Sequence, residues 1–88
     1  MKYIVFELDG KEEIIVFPRT VDHDAMLEGV RMIRFGGRQN WERKLFDVEP
    51  VAAGFVGNGV CHGSSETLKI GSRGALDTAL FEKAWGSA

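Results

Sequence analysis

A single cysteine in 88 residues cannot close an intramolecular disulfide, so Cys61 excludes the stapled, secreted class of small domains and points to a reducing compartment. Long apolar runs are also missing. Tyr3-Ile4-Val5-Phe6 is interrupted by Glu7 and Asp9, well short of a signal-peptide core or the roughly 20 residues of a membrane span. Neither export nor membrane insertion is expected, and the expected location is the cytoplasm. There is no repeat of 20 to 50 residues and no low-complexity tract. A strong charge surplus is absent too: the net charge is -2 and the pI about 5.6, whereas nucleic-acid modules are usually basic overall.

What is present is ordinary globular composition, 44% hydrophobic and 27% charged, which places the chain outside the disordered class. The length suits one domain over residues 1–88 with a small core, since a chain this short buries only roughly 60 to 65% of the surface its unfolded form exposes. With no disulfide or metal site to reinforce that core, a homodimer stays open.

The elements follow from periodicity and turn chemistry. Met1 to Leu8 and Glu12 to Phe17 are rich in β-branched and aromatic residues, and Asp9-Gly10 between them suits a tight turn. Two registers compete. A two-residue loop sets Glu7 opposite Glu12, while a Gly10 bulge sets Glu7 opposite Lys11 and is favoured by opposite charge. Ile4 and Phe6 face one side of this hairpin and Tyr3 and Val5 the other, so one face joins the core and the second, partly covered, offers an interface.

Pro18 ends the second strand. A short helix is expected from Asp22 to Glu28, with Asp22 as N-cap and Gly29 as its stop, followed by a short strand over Val30 to Phe35. Residues 36–50 show no clean pattern. Val51 to Gly57 reads as a buried strand, and Asn58-Gly59 as a hairpin turn leading back towards Leu68 to Ile70. In that register Gly54 falls opposite Gly63, which implies a bulge or a close approach by another element. Starting from Ser72 as N-cap, Leu76, Leu80, Phe81, Ala84 and Trp85 form one face of a C-terminal amphipathic helix. The fold class is therefore α+β, a small mostly antiparallel sheet built from two hairpins with a short helix after the first and an amphipathic helix at the end, in the order ββα-β-ββα.

Several patterns suggest chemistry. Gly59-Val60-Cys61-His62-Gly63 has the spacing of a nucleophile elbow, but it follows a hairpin turn rather than opening a long helix, and neighbouring strand residues point to opposite faces, so His62 would not reach Cys61. A buried structural cysteine is the stronger interpretation, and a cysteine-dependent enzyme at Cys61 the remote one. Asp22-His23-Asp24 fits a helix start better than a metal site, which needs paired ligands at zinc-like spacing. Ser64-Ser65-Glu66 and Gly54-x-x-Gly57-x-Gly59 lack the partners of a serine nucleophile or a phosphate loop and read as turn chemistry. No cofactor is implied.

Charge is unevenly spread, at -4 over residues 1–30, +4 over 31–46 and -2 over 47–88. The candidate binding residues are accordingly Arg31, Arg34, Arg38, Trp41, Arg43 and Lys44. Solvation, or pairing with Glu7, Glu12, Glu13 or Asp24, is weighed first for this stretch, an anionic protein partner second and nucleic acid third.

The opening Met-Lys-Tyr-Ile-Val-Phe-Glu-Leu, the Val51-Ala-Ala-Gly-Phe-Val stretch and the run Cys61-His62-Gly63-Ser64-Ser65-Glu66-Thr67-Leu68, Ser72-Arg73 and Asp77-Thr78-Ala79-Leu80 resemble small uncharacterised proteins of temperate bacteriophages and prophages. The resemblance covers about two-thirds of the chain, and its patterns are those of a fold type rather than of a catalytic site. It implies a bacterial host cytoplasm and a non-enzymatic accessory role, binding a host or phage macromolecule, with protein expected ahead of nucleic acid.

Overall fold

The computed structural model describes residues 1–8, 10–35 and 48–86, with the backbone alone for 33–35. The N-terminal hairpin is formed by β1 (Lys2–Leu8) and β2 (Lys11–Phe17), and it is followed by α1 (His23–Phe35). A second hairpin, β3 (Glu49–Gly57) and β4 (Val60–His62), leads into a two-stranded ladder of β5 (Ser64–Ser65) and β6 (Ile70–Gly71). The chain then forms α2 (Ala75–Phe81), which runs on into a π-helical turn at Glu82–Gly86. The main sheet is antiparallel in the order β2-β1-β3-β4, so the two hairpins join through their first strands. This is the α+β class and antiparallel two-hairpin sheet expected from the residues. No helix among the described residues is long and apolar enough to cross a membrane.

Alternation along β1 splits the core in two. Ile4, Phe6 and Leu8 join Phe17, Ala53, Val48 and the α1 residues Leu27 and Val30, while Tyr3 and Val5 join Ile14, Ala52 and Cys61 on the opposite face beneath Leu80 and Phe81. The second face of the hairpin is thus covered by the C-terminal helix rather than left as an interface.

Four local expectations need correction. The first hairpin has the two-residue loop, with Glu7 opposite Glu12 and Leu8 opposite Lys11, and no bulge at Gly10, whose φ is +80°. The like-charge register is tolerable because Arg73, sixty-one positions away, forks onto Glu12 at 3.0 and 2.9 Å. The irregularity lies elsewhere, between Val5 and Phe6 on the β3 side, where Val51 is the extra residue beside Pro50.

Second, α1 does not stop at Gly29 and no strand forms over 30–35. Glycine inside a helix costs about 1 kcal/mol relative to alanine, and burial of Leu27 and Val30 on one helical face outweighs it. At its other end, Asp24 Oδ1 accepts from Ala25 N–H, and Thr67 Oγ1 accepts from Asp24 N–H at 3.2 Å, so a distant loop satisfies a donor of the first turn.

Third, β4 ends at His62 instead of running on, and the return towards Ile70 is the separate small ladder. Asn58 (φ 53°) and Gly59 (φ 77°) form the expected tight turn. Gly54 lies against β4 itself: a Cβ there would sit 2.3 Å from the His62 carbonyl oxygen.

Fourth, the last helix begins at Ala75 with Gly74 in the N-cap position, while Ser72 Oγ accepts from Gly74 N–H at 3.0 Å in the turn before it. Its phase also departs from the predicted face. Leu76 and Trp85 are 62% and 54% exposed, and the fully buried residue is Asp77.

Candidate functional site

Two arrangements bring polar chemistry together. The first is a chain of charges between the N-terminal hairpin and α2. Asp77, one turn before Leu80 and Phe81, enters the apolar face with a carboxylate that needs donors. Oδ2 accepts from the Tyr3 hydroxyl at 2.5 Å and from Arg73 N–H at 2.8 Å, and Oδ1 accepts from Arg73 Nε at 2.7 Å. The rest of the guanidinium is spent on Glu12. Burial, reinforced by the Asp77 hydrogen bond, pushes the Tyr3 hydroxyl far above its ordinary value, so it remains a neutral donor. Hydrogen bonding to Glu12 and then to Asp77 holds the Arg73 charge more firmly, and the same fork holds the Glu12 carboxyl below its usual range. The four side chains are engaged with one another, and together they clamp the start of α2 to the N-terminal hairpin.

Cys61 borders this network. Its N–H donates to Thr78 Oγ1 at 3.0 Å, and burial raises its thiol above the ordinary value, which disfavours the thiolate. Its side chain packs with Tyr3 and Val5, whereas His62 lies on the opposite face against Phe55, with ring centroids 6.2 Å apart. The structure does not bring Cys61 and His62 together.

The second arrangement lies on the α1 face at the end of the sheet. His23 opens α1 and is 3% exposed, set edge-on to both Phe17 and Phe55 with Nε2 donating to the Gly54 carbonyl at 2.9 Å. That bond assigns the Nε2 proton, since a carbonyl only accepts. Asp22-His23-Asp24 is therefore a helix start whose histidine serves the core. Above it, Phe55 and His62 stack into a ridge between two clefts. One, of about 410 Å³, lies among Lys2, Asp22, His23, Ser64, Glu66 and Thr67. The other, of about 380 Å³, lies among Met1, Arg19, Val56, Gly57 and His62. Lys2 is tethered, donating to the Val21 carbonyl at 3.0 Å with Asp22 at 3.8 Å, so the first cleft presents Asp22 and Glu66 while the second presents Arg19. Ser65 is buried and its Oγ accepts from Leu68 N–H at 3.1 Å, which folds the loop forming one wall.

Of the residues singled out by charge, Arg31 is structural in part: it donates to the Val48 carbonyl at 3.0 Å, joining α1 to the start of β3, and lies 3.8 Å from Glu28. Arg34 is placed on α1 by its backbone. Arg38, Trp41, Arg43 and Lys44 lie outside the described residues. Sequence reasoning missed Tyr3, Glu12, Arg73, Asp77 and the Phe55–His62 ridge. Asp77 did carry a signal, being a carboxylate within the apolar stripe of α2 and four residues after an arginine. The ridge carried one too, since the Asn58-Gly59 turn that sets Gly54 opposite Gly63 also sets Phe55 opposite His62.

Compared with known proteins, the chain matches no protein-family model, no curated protein and no solved structure.

Proposed function

We propose that this chain is a non-enzymatic accessory module of the phage or prophage type, working in a bacterial cytoplasm by binding a protein partner across the Phe55–His62 ridge. The observation that carries this reading is the ridge itself, two stacked rings between adjacent clefts of about 410 and 380 Å³ with opposite charge at their two ends. Aromatic residues beside pockets with a polar rim are the usual anchors of protein interfaces. Acidic groups on one side of the ridge favour a protein over a polyphosphate backbone, as does the internal use of Arg31. The resemblance to small temperate-phage proteins supports the accessory role.

A tagged copy passed through bacterial lysate is expected to retain a specific protein. Arg19→Glu with His62→Ala should abolish retention while leaving the circular dichroism spectrum unchanged. Retention that survives this pair of changes but is lost on Arg34→Glu, Arg38→Glu and Arg43→Glu moves the interface to the basic stretch. A salt-sensitive mobility shift with DNA or RNA replaces the protein partner by nucleic acid.

A further inference from the structure

The two edges of the sheet are finished differently. On β4 the edge is three residues long, and the Cys61 N–H is taken by Thr78 on α2. On β2 it is seven residues long, and the direction of its free groups follows from the ladder. Met1 exchanges both backbone hydrogen bonds with Val56, so Tyr3 and Val5 also point their backbone towards β3, while Lys2, Ile4, Phe6 and Leu8 point towards β2. Their partners Phe17, Ile15, Glu13 and Lys11 are thereby used, and Glu12, Ile14 and Val16 direct N–H and C=O outwards. Among these outward groups the described residues supply one hydrogen bond, from Trp85 Nε1 to the Ile14 carbonyl at 3.3 Å, at the long end of the useful range. Trp85 sits on the π-helical turn and is half exposed.

We propose that β2 pairs antiparallel with β2 of a second copy of this chain, about a two-fold axis at Ile14, and that Trp85 is the plug it displaces. Self-pairing has one favoured register. Outward residues must meet outward residues, which leaves shifts in steps of two. Centring the axis on Glu12 leaves Ile14 to Phe17 without partners, and centring it on Glu13 leaves Val16 and Phe17 without them. Centring it on Ile15 leaves Lys11 and Glu12 without partners. At Ile14 the whole strand overlaps: Ile14 meets Ile14, Glu12 meets Val16 and Glu13 meets Ile15, so no like charges face each other. Glu12 enters that interface already neutralised by the Arg73 fork. Of the apolar residues of β2, Ile15 and Val16 are only half-buried in the single chain, and an edge exposed to solvent must shield them. The pairing continues one antiparallel sheet through both copies, and the Ile14 carbonyl exchanges a long indole bond for an amide of the partner.

Sedimentation equilibrium of the full chain tests this. The expected result is a reversible dimer that Val16→Pro weakens by about tenfold or more, because proline there deletes an outward donor while sparing the ladder to β1. Trp85→Ala is expected to tighten the dimer by removing the competitor. A second measurement does not depend on proline being accommodated: Glu13→Cys with Ile15→Cys, in a Cys61→Ala background, should oxidise to a covalent dimer across the axis. A wild-type chain that stays monomeric through the millimolar range, a dimer indifferent to a folded Val16→Pro, a Trp85→Ala variant that dimerises less well, or a double-cysteine variant that forms no covalent dimer each overturns the proposal.

Discussion

The face of the sheet under α1 is closed by side chains that need only one another: Ile4, Phe6, Leu8, Phe17, Leu27, Val30, Val48 and Ala53 fill it, and His23 joins them by spending its Nε2 proton on a backbone carbonyl. The opposite face is closed around a carboxylate. Asp77 is buried with Tyr3 and Arg73 as donors, and Arg73 reaches on to Glu12, so three separate segments must be in place before any of these groups is satisfied. Apolar attraction is non-directional and constrains the rotation of a helix only through shape. A buried carboxylate constrains it by direction, since a donor lost by one turn of rotation leaves an uncompensated charge. The polar face therefore fixes where α2 sits, and the apolar face supplies the larger share of non-specific cohesion.

Breaking the polar face at its centre has the largest expected effect. Asp77→Ala leaves the Tyr3 hydroxyl and Arg73 Nε without their buried acceptor and should lower unfolding free energy by about 1–3 kcal/mol for each donor left unsatisfied. Urea denaturation followed by circular dichroism measures it. A loss below about 1 kcal/mol would mean that apolar contacts alone hold α2. Replacing Asp77 by Leu together with Arg73→Met and Tyr3→Phe should recover most of that loss, because an apolar substitute for a buried ion pair is often neutral or stabilising. Broadened amide resonances in the triple variant would show that the charges chiefly select one arrangement.

Tyr3→Phe alone removes one donor to the carboxylate and should cost about 1.5–3 kcal/mol. Thr78→Val strips the acceptor from the Cys61 N–H and should cost about 1–2 kcal/mol, with faster exchange of that amide as its local signature. The smallest effects are those of pH, and the two ends of the network differ in sign. Glu12 titrates below its usual value in the fold, so its contribution is complete above about pH 4.3, the ordinary carboxyl value, and is lost as the pH falls through the folded value. Tyr3 and Cys61 titrate above their usual values, so their contributions are complete below about pH 10 and pH 8.5 respectively and are lost as the pH rises towards the folded values. A pH series of melting temperatures should lose its acid limb in Glu12→Gln and flatten on the alkaline side in Tyr3→Phe.

Both hairpins were legible because their signals are local. Asn58-Gly59 and Asp9-Gly10 sit between runs of β-branched residues, and alternation assigned Tyr3 and Val5 to the face opposite Ile4 and Phe6. The register of the first hairpin was misjudged for the converse reason. Between neighbours, Lys11 is the natural partner of Glu7, and nothing near Glu12 in the sequence announces Arg73. The length of α1 was missed because Gly29 weighs about 1 kcal/mol locally, whereas Leu27 and Val30 are rewarded only by a sheet formed elsewhere in the chain.

The clefts belong to the tertiary level, since the packing of separate elements brings His23 and Arg19 to the end of the sheet where the local hairpin sets Phe55 beside His62. Residue pattern alone gave the two hairpins, a helix after the first and another at the end, and the two faces of β1, because these depend on side-chain periodicity and on turns a few residues long. Long-range contacts settled which residue faces Glu7, where α2 begins and which of its residues is buried. Those choices rest on hydrogen bonds between Tyr3, Glu12, Arg73 and Asp77, whose strength exists only once the surrounding fold has excluded water.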